Sequence, residues 1–137
     1  MTLELPLYVT IPRKKSKGKR ISLNLNEYRN MKYFTLNIAK KLYRDIVWDA
    51  FIIANRQGVT LNPPFRLTYT IYAPNKRRFD VSNVASVADK WACDALVELG
   101  LMDDDDYLHV PVVVYQFGGV DKGNPRCELT IEELSHD

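Results

Sequence analysis

Hydrophobic and polar positions along the chain fall into two periods. Residues 3–11 alternate and are rich in Leu, Val, Tyr and Ile, which predicts a strand ended by Pro12. Residues 21–25 form a short extended piece. Asn24, with Glu27 following it, resembles a capping box, and from there to Arg56 the pattern predicts one long helix. Its expected buried stripe is Phe34, Ile38, Leu42 and Ile46, with Met31 and Trp48 beside it. Lys32, Lys40, Lys41 and Arg44 lie largely off that stripe, and Gly58 is a natural stop.

After a turn at Asn62-Pro63-Pro64, residues 65–73 alternate again, placing Phe65, Leu67, Tyr69, Ile71 and Ala73 on one face of a strand. A second helix is expected over 81–99. It would bury Val84, Val87, Trp91, Ala95 and Leu99, with Ala88, Cys93 and Leu96 as neighbours, and Gly100 would end it. Residues 110–117 are β-branched until Gly118-Gly119 breaks the run, and 126–134 form a last strand. Those two strands read as a hairpin with a long polar loop. The order strand, helix, strand, helix, strand, strand predicts an α+β fold. It would be a small mixed sheet covered by two helices, in a single domain over residues 1–137.

Composition narrows the class. Hydrophobic residues make up 46% of the 137 positions, enough for one modest core. No apolar run approaches the ~20 residues of a membrane span, and the N-terminus lacks a signal-peptide layout. Cys93 and Cys127 are the only cysteines, too few for a disulfide framework. A cytoplasmic protein without membrane association is expected (in the host cytoplasm if the chain is phage-encoded).

Charge changes the picture more. The net value is +2, but Arg13, Lys14, Lys15, Lys17, Lys19 and Arg20 crowd one loop, and Asp103, Asp104, Asp105 and Asp106 crowd another. With that acidic cluster set aside, 19 cations face 13 anions, a balance of +6. A basic surface with a local acidic pocket suits a polyanionic substrate, whereas scattered solvated charge is the plainer alternative.

The candidate chemistry lies between Lys76 and Asp106. Lys76, Arg77 and Arg78 precede Asp80 at a helix start, and the four aspartates follow the helix end. Carboxylate oxygens suit a hard divalent cation, and the basic side chains suit a phosphodiester. Asp80 also stands where an N-cap belongs. Asp80, Asn83, Lys90 and Asp94 share one polar stripe, but Asp80 and Asp94 are ~21 Å apart along the axis at ~1.5 Å per residue. They cannot share an ion, so Asp80 needs a partner from the acidic cluster. That requires the loop after the helix to fold back towards the helix start. His109 and His136 stand too far apart to pair as ligands.

The pattern K-R-R-F-D-V-S-N, then D-K, then D-A-L, then G-L-M-D-D-D-D resembles the signature of the RusA family of Holliday junction resolvases, common in phages and prophages. The basic loop over 12–20 and the helix after it look similar too. The resemblance implies a magnesium-dependent endonuclease, with manganese as a substitute, that acts as a homodimer on branched DNA, the four-way junction. By position, it implies Asp80, Asp105 and Lys90 as catalytic residues and Asp80, Asp104 and Asp105 as metal ligands. Ser82, Asn83 and Asp94 would stand behind them. Arg13, Lys14, Lys15, Lys17, Lys19, Arg20, Lys76, Arg77 and Arg78 would hold DNA. Two departures are visible: Ser82 replaces a family aspartate, and Lys90 lies one helical turn further from Asp80 than in the pattern. Two other functions fit the residues: a non-catalytic branched-DNA-binding protein of the same fold, and a small structural module whose charges are merely solvated.

Overall fold

The computed structural model describes residues 1–15 and 17–135. Its elements run β1 (Thr2–Leu5), β2 (Tyr8–Ile11), β3 (Lys19–Ser22), α1 (Leu25–Asn30), α2 (Tyr33–Ala54), β4 (Phe65–Ala73), α3 (Val81–Glu98), β5 (Val112–Val120) and β6 (Arg126–Glu133). This is a mixed α+β single domain. Beside the expected helices and sheet stand a third, short helix and a separate two-stranded sheet.

The four-stranded sheet has the order β1-β6-β4-β5, with β4 parallel to β5 and antiparallel to β6. Register aligns Leu67 with Ile131, Tyr69 with Leu129, and Leu3 with Leu129. The apolar residues of β1, β4 and β6 therefore share one face, buried under α2 and α3. The other face carries Thr2, Arg66, Thr68, Thr70, Tyr72 and Thr130 and stays polar. Arg66 pairs there with Glu132 and Arg126 stacks over the Tyr72 ring. A one-sided sheet explains the strict alternation over residues 65–73.

Several expectations are corrected. The stretch 3–11 is two strands in two sheets, because Pro6 cannot donate a ladder hydrogen bond and the chain turns there. The long helix is also two: Met31 and Lys32 are extended, and α2 starts afresh. Its buried line is Ala39, Tyr43 and Val47, with Phe34 76% exposed. The stripe falls beside the expected one because Tyr43 packs edge-on against Trp91 of α3, 5.6 Å between centroids. The expected hairpin of the last two strands does not form, since β4 lies between β5 and β6. Nor does Gly118-Gly119 end β5. Ile71 pairs with Phe117 but Tyr72 pairs with Gly119, leaving Gly118 as the extra residue of a bulge. A Cβ on Gly118 would sit 2.7 Å from the Tyr72 ring and 2.6 Å from the Thr70 methyl, so any larger residue would have to push those side chains aside.

Both cysteines are buried thiols in the core, and burial pushes Cys127 up to about 12. No helix of the described residues is long and apolar enough to cross a membrane.

The one-sided core sets a test. Leu129 is fully buried, so Leu129→Ala should cost ~2–5 kcal/mol of stability. Thr68→Ala on the open face should cost under ~1 kcal/mol. Urea unfolding midpoints read both, and equal losses would mean that the polar face is covered.

Candidate nucleic-acid interface

The unit β4–α3–β5 decides where the chemistry sits. Two parallel strands joined by a helix require that helix to run back from the end of the first to the start of the second. The residues leading into α3 therefore lie at the carboxyl edge of β4 and β5, the edge where such units usually leave a crevice. A cleft of about 830 Å³ opens there. Its lining includes Lys76, Arg77, Arg78, Asp80, Phe79 and Phe117. A second hollow of about 350 Å³ adjoins it and shares Arg77, Arg78 and Phe79.

The loop entering α3 is shaped locally. Asn75 accepts a hydrogen bond from the Arg77 backbone N–H at 2.9 Å, an Asx-type turn that sends the three cations outward. All three are exposed. Asp80 occupies the N-cap position, but its side chain makes no capping hydrogen bond; the Asn83 N–H donates to the Asp80 backbone carbonyl instead. The helix start thus leaves this carboxylate exposed in the cleft. Asn83 lines the cleft as well, whereas exposed Ser82 is not among its lining residues.

One cation of the basic stretch reaches the same side of the molecule. Residues 12–18 join β2 and β3, which pair antiparallel with Thr10 opposite Arg20. Arg13, Lys14, Lys15, Lys17, Lys19 and Arg20 are all exposed. The Arg20 guanidinium lies 3.6 Å from the centre of the Tyr8 ring, and both line the second hollow with Arg77 and Arg78. Folding has brought together one member of the sequence-distant basic loop and the basic run before α3.

The acidic cluster lies elsewhere. Gly100, at φ +74°, turns the chain out of α3, and the Leu101 and Met102 N–H groups close on the Leu96 carbonyl. The loop stays at the end of α3 because β5 must begin beside the start of β4. The expected fold-back to the helix start does not occur. Asp105 lines a hollow with Asp94, Glu98, Lys40 and Arg44. Asp80 is thus held ~21 Å from Asp94, the neighbour of Asp105 in that hollow, by the axial rise of α3 at ~1.5 Å per residue. Asp80, Asp104 and Asp105 do not converge within one chain. Among the described residues no group of three or more His, Cys, Asp or Glu side chains is placed to hold a metal.

The aspartates of the cluster differ in their partners. Asp104 accepts the Asp105 N–H at 2.7 Å. Partial burial, then the neighbouring Asp104 and Asp94 charges, raise the Asp105 carboxyl above its usual range. Asp106 turns the other way, accepting the Leu108 and His109 N–H groups and contacting His109 Nδ1 at 2.6 Å.

The remaining candidates find structural partners. Asp94 pairs with Lys40 at 3.3 Å. Lys90 sits over the Tyr28 ring of α1 at 5.3 Å, and Tyr28 and then Asp94 hold its ammonium above the ordinary lysine value. It lines neither hollow at the ends of α3. Asp89 is fixed by the Tyr115 hydroxyl at 2.6 Å and the Cys93 thiol at 3.3 Å. His136 lies outside the described residues. Sequence reasoning missed Phe79, Phe117 and Tyr8 as site residues. Phe79 carried a signal, an aromatic inside a basic run. Phe117 carried none, because its place depends on β5 lying parallel to β4.

The Asp106–His109 pair has a pH signature. The carboxylate raises the imidazole and the imidazolium lowers the carboxyl. The histidine's contribution is present below its unfolded value near ~6.5 and is lost as pH rises through the raised folded value; the aspartate's is present above ~3.9 and is lost as pH falls through the lowered one. An NMR titration of His109 should therefore show a midpoint above ~6.5 that returns towards ~6.5 in Asp106→Asn. An unchanged midpoint in that variant would remove the pair.

Compared with known proteins, the chain matches no family model and no curated protein.

Proposed function

We propose that the protein is a structure-selective DNA endonuclease of the Holliday junction resolvase type, dependent on magnesium and working as a homodimer. The observation that carries this reading is the cleft at the start of α3. There three exposed cations stand beside a carboxylate that the helix does not use. Lys76, Arg77 and Arg78 would hold a phosphodiester, and Asp80 is the oxygen donor nearest to it in sequence. Magnesium commonly uses one or two carboxylates together with substrate phosphate and water, so a lone exposed aspartate beside a phosphate site fits the ion. When bound, the ion supplies charge stabilisation for phosphodiester hydrolysis. The residues of the chain orient the backbone and keep a second strand at the basic hairpin, where Arg20 continues the positive surface.

Among the described residues Asp80 is the one carboxylate that lines that cleft within one chain. In this reading Asp104 or Asp105 of a second copy supplies another. Two such sites in a two-fold dimer match the two symmetric cuts that resolve a four-way junction. A second reading is favoured by the same single carboxylate and by Ser82: a branched-DNA-binding protein without cleavage.

Asp80→Asn and Asp105→Asn should each abolish magnesium-dependent cutting of a labelled four-way junction and leave binding intact or tighter. Mixed together, the two variants should regain nicking, because one of the two shared sites in the mixed dimer keeps both aspartates. A mixture as inactive as its components would place each site within one chain. Wild-type protein that binds the junction but never cuts it with magnesium or manganese would favour the second reading.

Replacing Lys14, Lys15, Lys19 and Arg20 together should weaken binding to all DNA. The slope of log affinity against log salt should also flatten, by roughly 0.9 for each phosphate no longer neutralised. An unchanged slope would mean that the hairpin points away from DNA.

A further inference from the structure

The cleft holds two aromatic rings that the phosphate chemistry does not use. Phe79 follows the three cations, and Phe117 projects from edge strand β5 just before the bulge. Their centroids are 5.9 Å apart and their planes meet at 68°, an edge-on pair. Neither is a core residue, with Phe79 38% and Phe117 51% exposed. The edge-on packing fixes the orientation of both rings and leaves apolar ring surface open beside Lys76, Arg77 and Arg78.

We propose that the Phe79–Phe117 pair is a stacking platform for an unpaired nucleobase of DNA, held in place by its flanking phosphates on Lys76, Arg77 and Arg78. The inference rests on the DNA-binding reading and adds what the cleft selects. A base inside a duplex is already stacked on both faces and cannot use the platform. A base freed at a branch point or in a single strand has an open face, and every base has one, so this stacking is tolerant of sequence. Charge complementarity singles out a polyanion over a neutral apolar partner, since three exposed cations rim the rings. Asn83 also lines the cleft, and its amide can meet the edge of the stacked base.

The test compares fluorescence-anisotropy affinities of wild-type, Phe117→Ala, Phe117→Leu, Phe117→Trp and Arg77→Ala for three probes. These are a thymidine oligomer of about 12 nucleotides, a duplex of similar length and a four-way junction. Removing one stacked ring should lower single-strand and junction affinity roughly tenfold in Phe117→Ala and Phe117→Leu, with little change for duplex. Phe117→Trp should keep the affinity. Arg77→Ala should weaken all three probes alike, as a phosphate-binding residue does. Phe117→Leu keeps an apolar side chain at the site, which separates the absence of a ring from misfolding. Equal weakening of single strand and duplex by both Phe117 variants, or no weakening, would overturn the platform while leaving DNA binding in place. A shift from dimer to monomer in Phe117→Leu, read by light scattering, would assign the ring to a subunit interface and also overturn it. Wild-type protein that binds none of the probes would remove the DNA-binding reading itself, and the platform with it.

Discussion

The packing of α3 across the buried face of β4 is the constraint on which the rest depends. Leu67, Tyr69 and Ile71 form the sheet side of that interface, and Val87, Ala88, Trp91, Ala92 and Ala95 form much of the helix side. Small residues on α3 let it lie close to the sheet, and the bulky rings of Trp91 and Tyr43 fill the space towards α2. Because β5 returns parallel to β4, this packing also fixes polarity. The beginning of α3 must face one edge of the sheet and its end the other. The basic cleft and the acidic loop are therefore separated by the architecture, not by the choice of residues within either loop.

That separation shapes the electrostatics. The basic run lies with the hairpin arginine at one edge, and at the opposite edge Asp94 pairs with Lys40, Glu98 with Arg44 and Asp106 with His109. Among the described residues, a polyanion approaching the cleft therefore meets positive charge with Asp80 as the one carboxylate in the lining.

Local patterns in the sequence were legible where one segment met one environment. Alternation in β4 marked its buried face correctly, because a one-sided sheet imposes a period of two. The start and end of α3 followed from Asp80 and Gly100. What the pattern could not carry was pairing. Nothing in the residues of β5 and β6 states that β4 inserts between them, so the hairpin expectation failed. The line of α2 was misread for a related reason: Tyr43 and Ala39 are chosen by the shape of α3, which a single helix does not display. In the site, the basic run and Asp80 were readable as a contiguous motif. The distance from Asp80 to the aspartates depends on topology and was not.

The bulge at Gly118 has a further consequence for how the molecule behaves at high concentration. β5 is an edge strand, and among the described residues its outer backbone N–H and C=O groups have no ladder partner in the sheet. The run from Val112 to Phe117 contains no lysine and no proline, the residues that usually blunt such an edge. Most of its length is a ready template for another β-strand, and only the irregular backbone at Gly118-Gly119 interrupts it. The glycine that fits beneath Tyr72 thus also sets where the regular edge stops, two residues before the end of the strand.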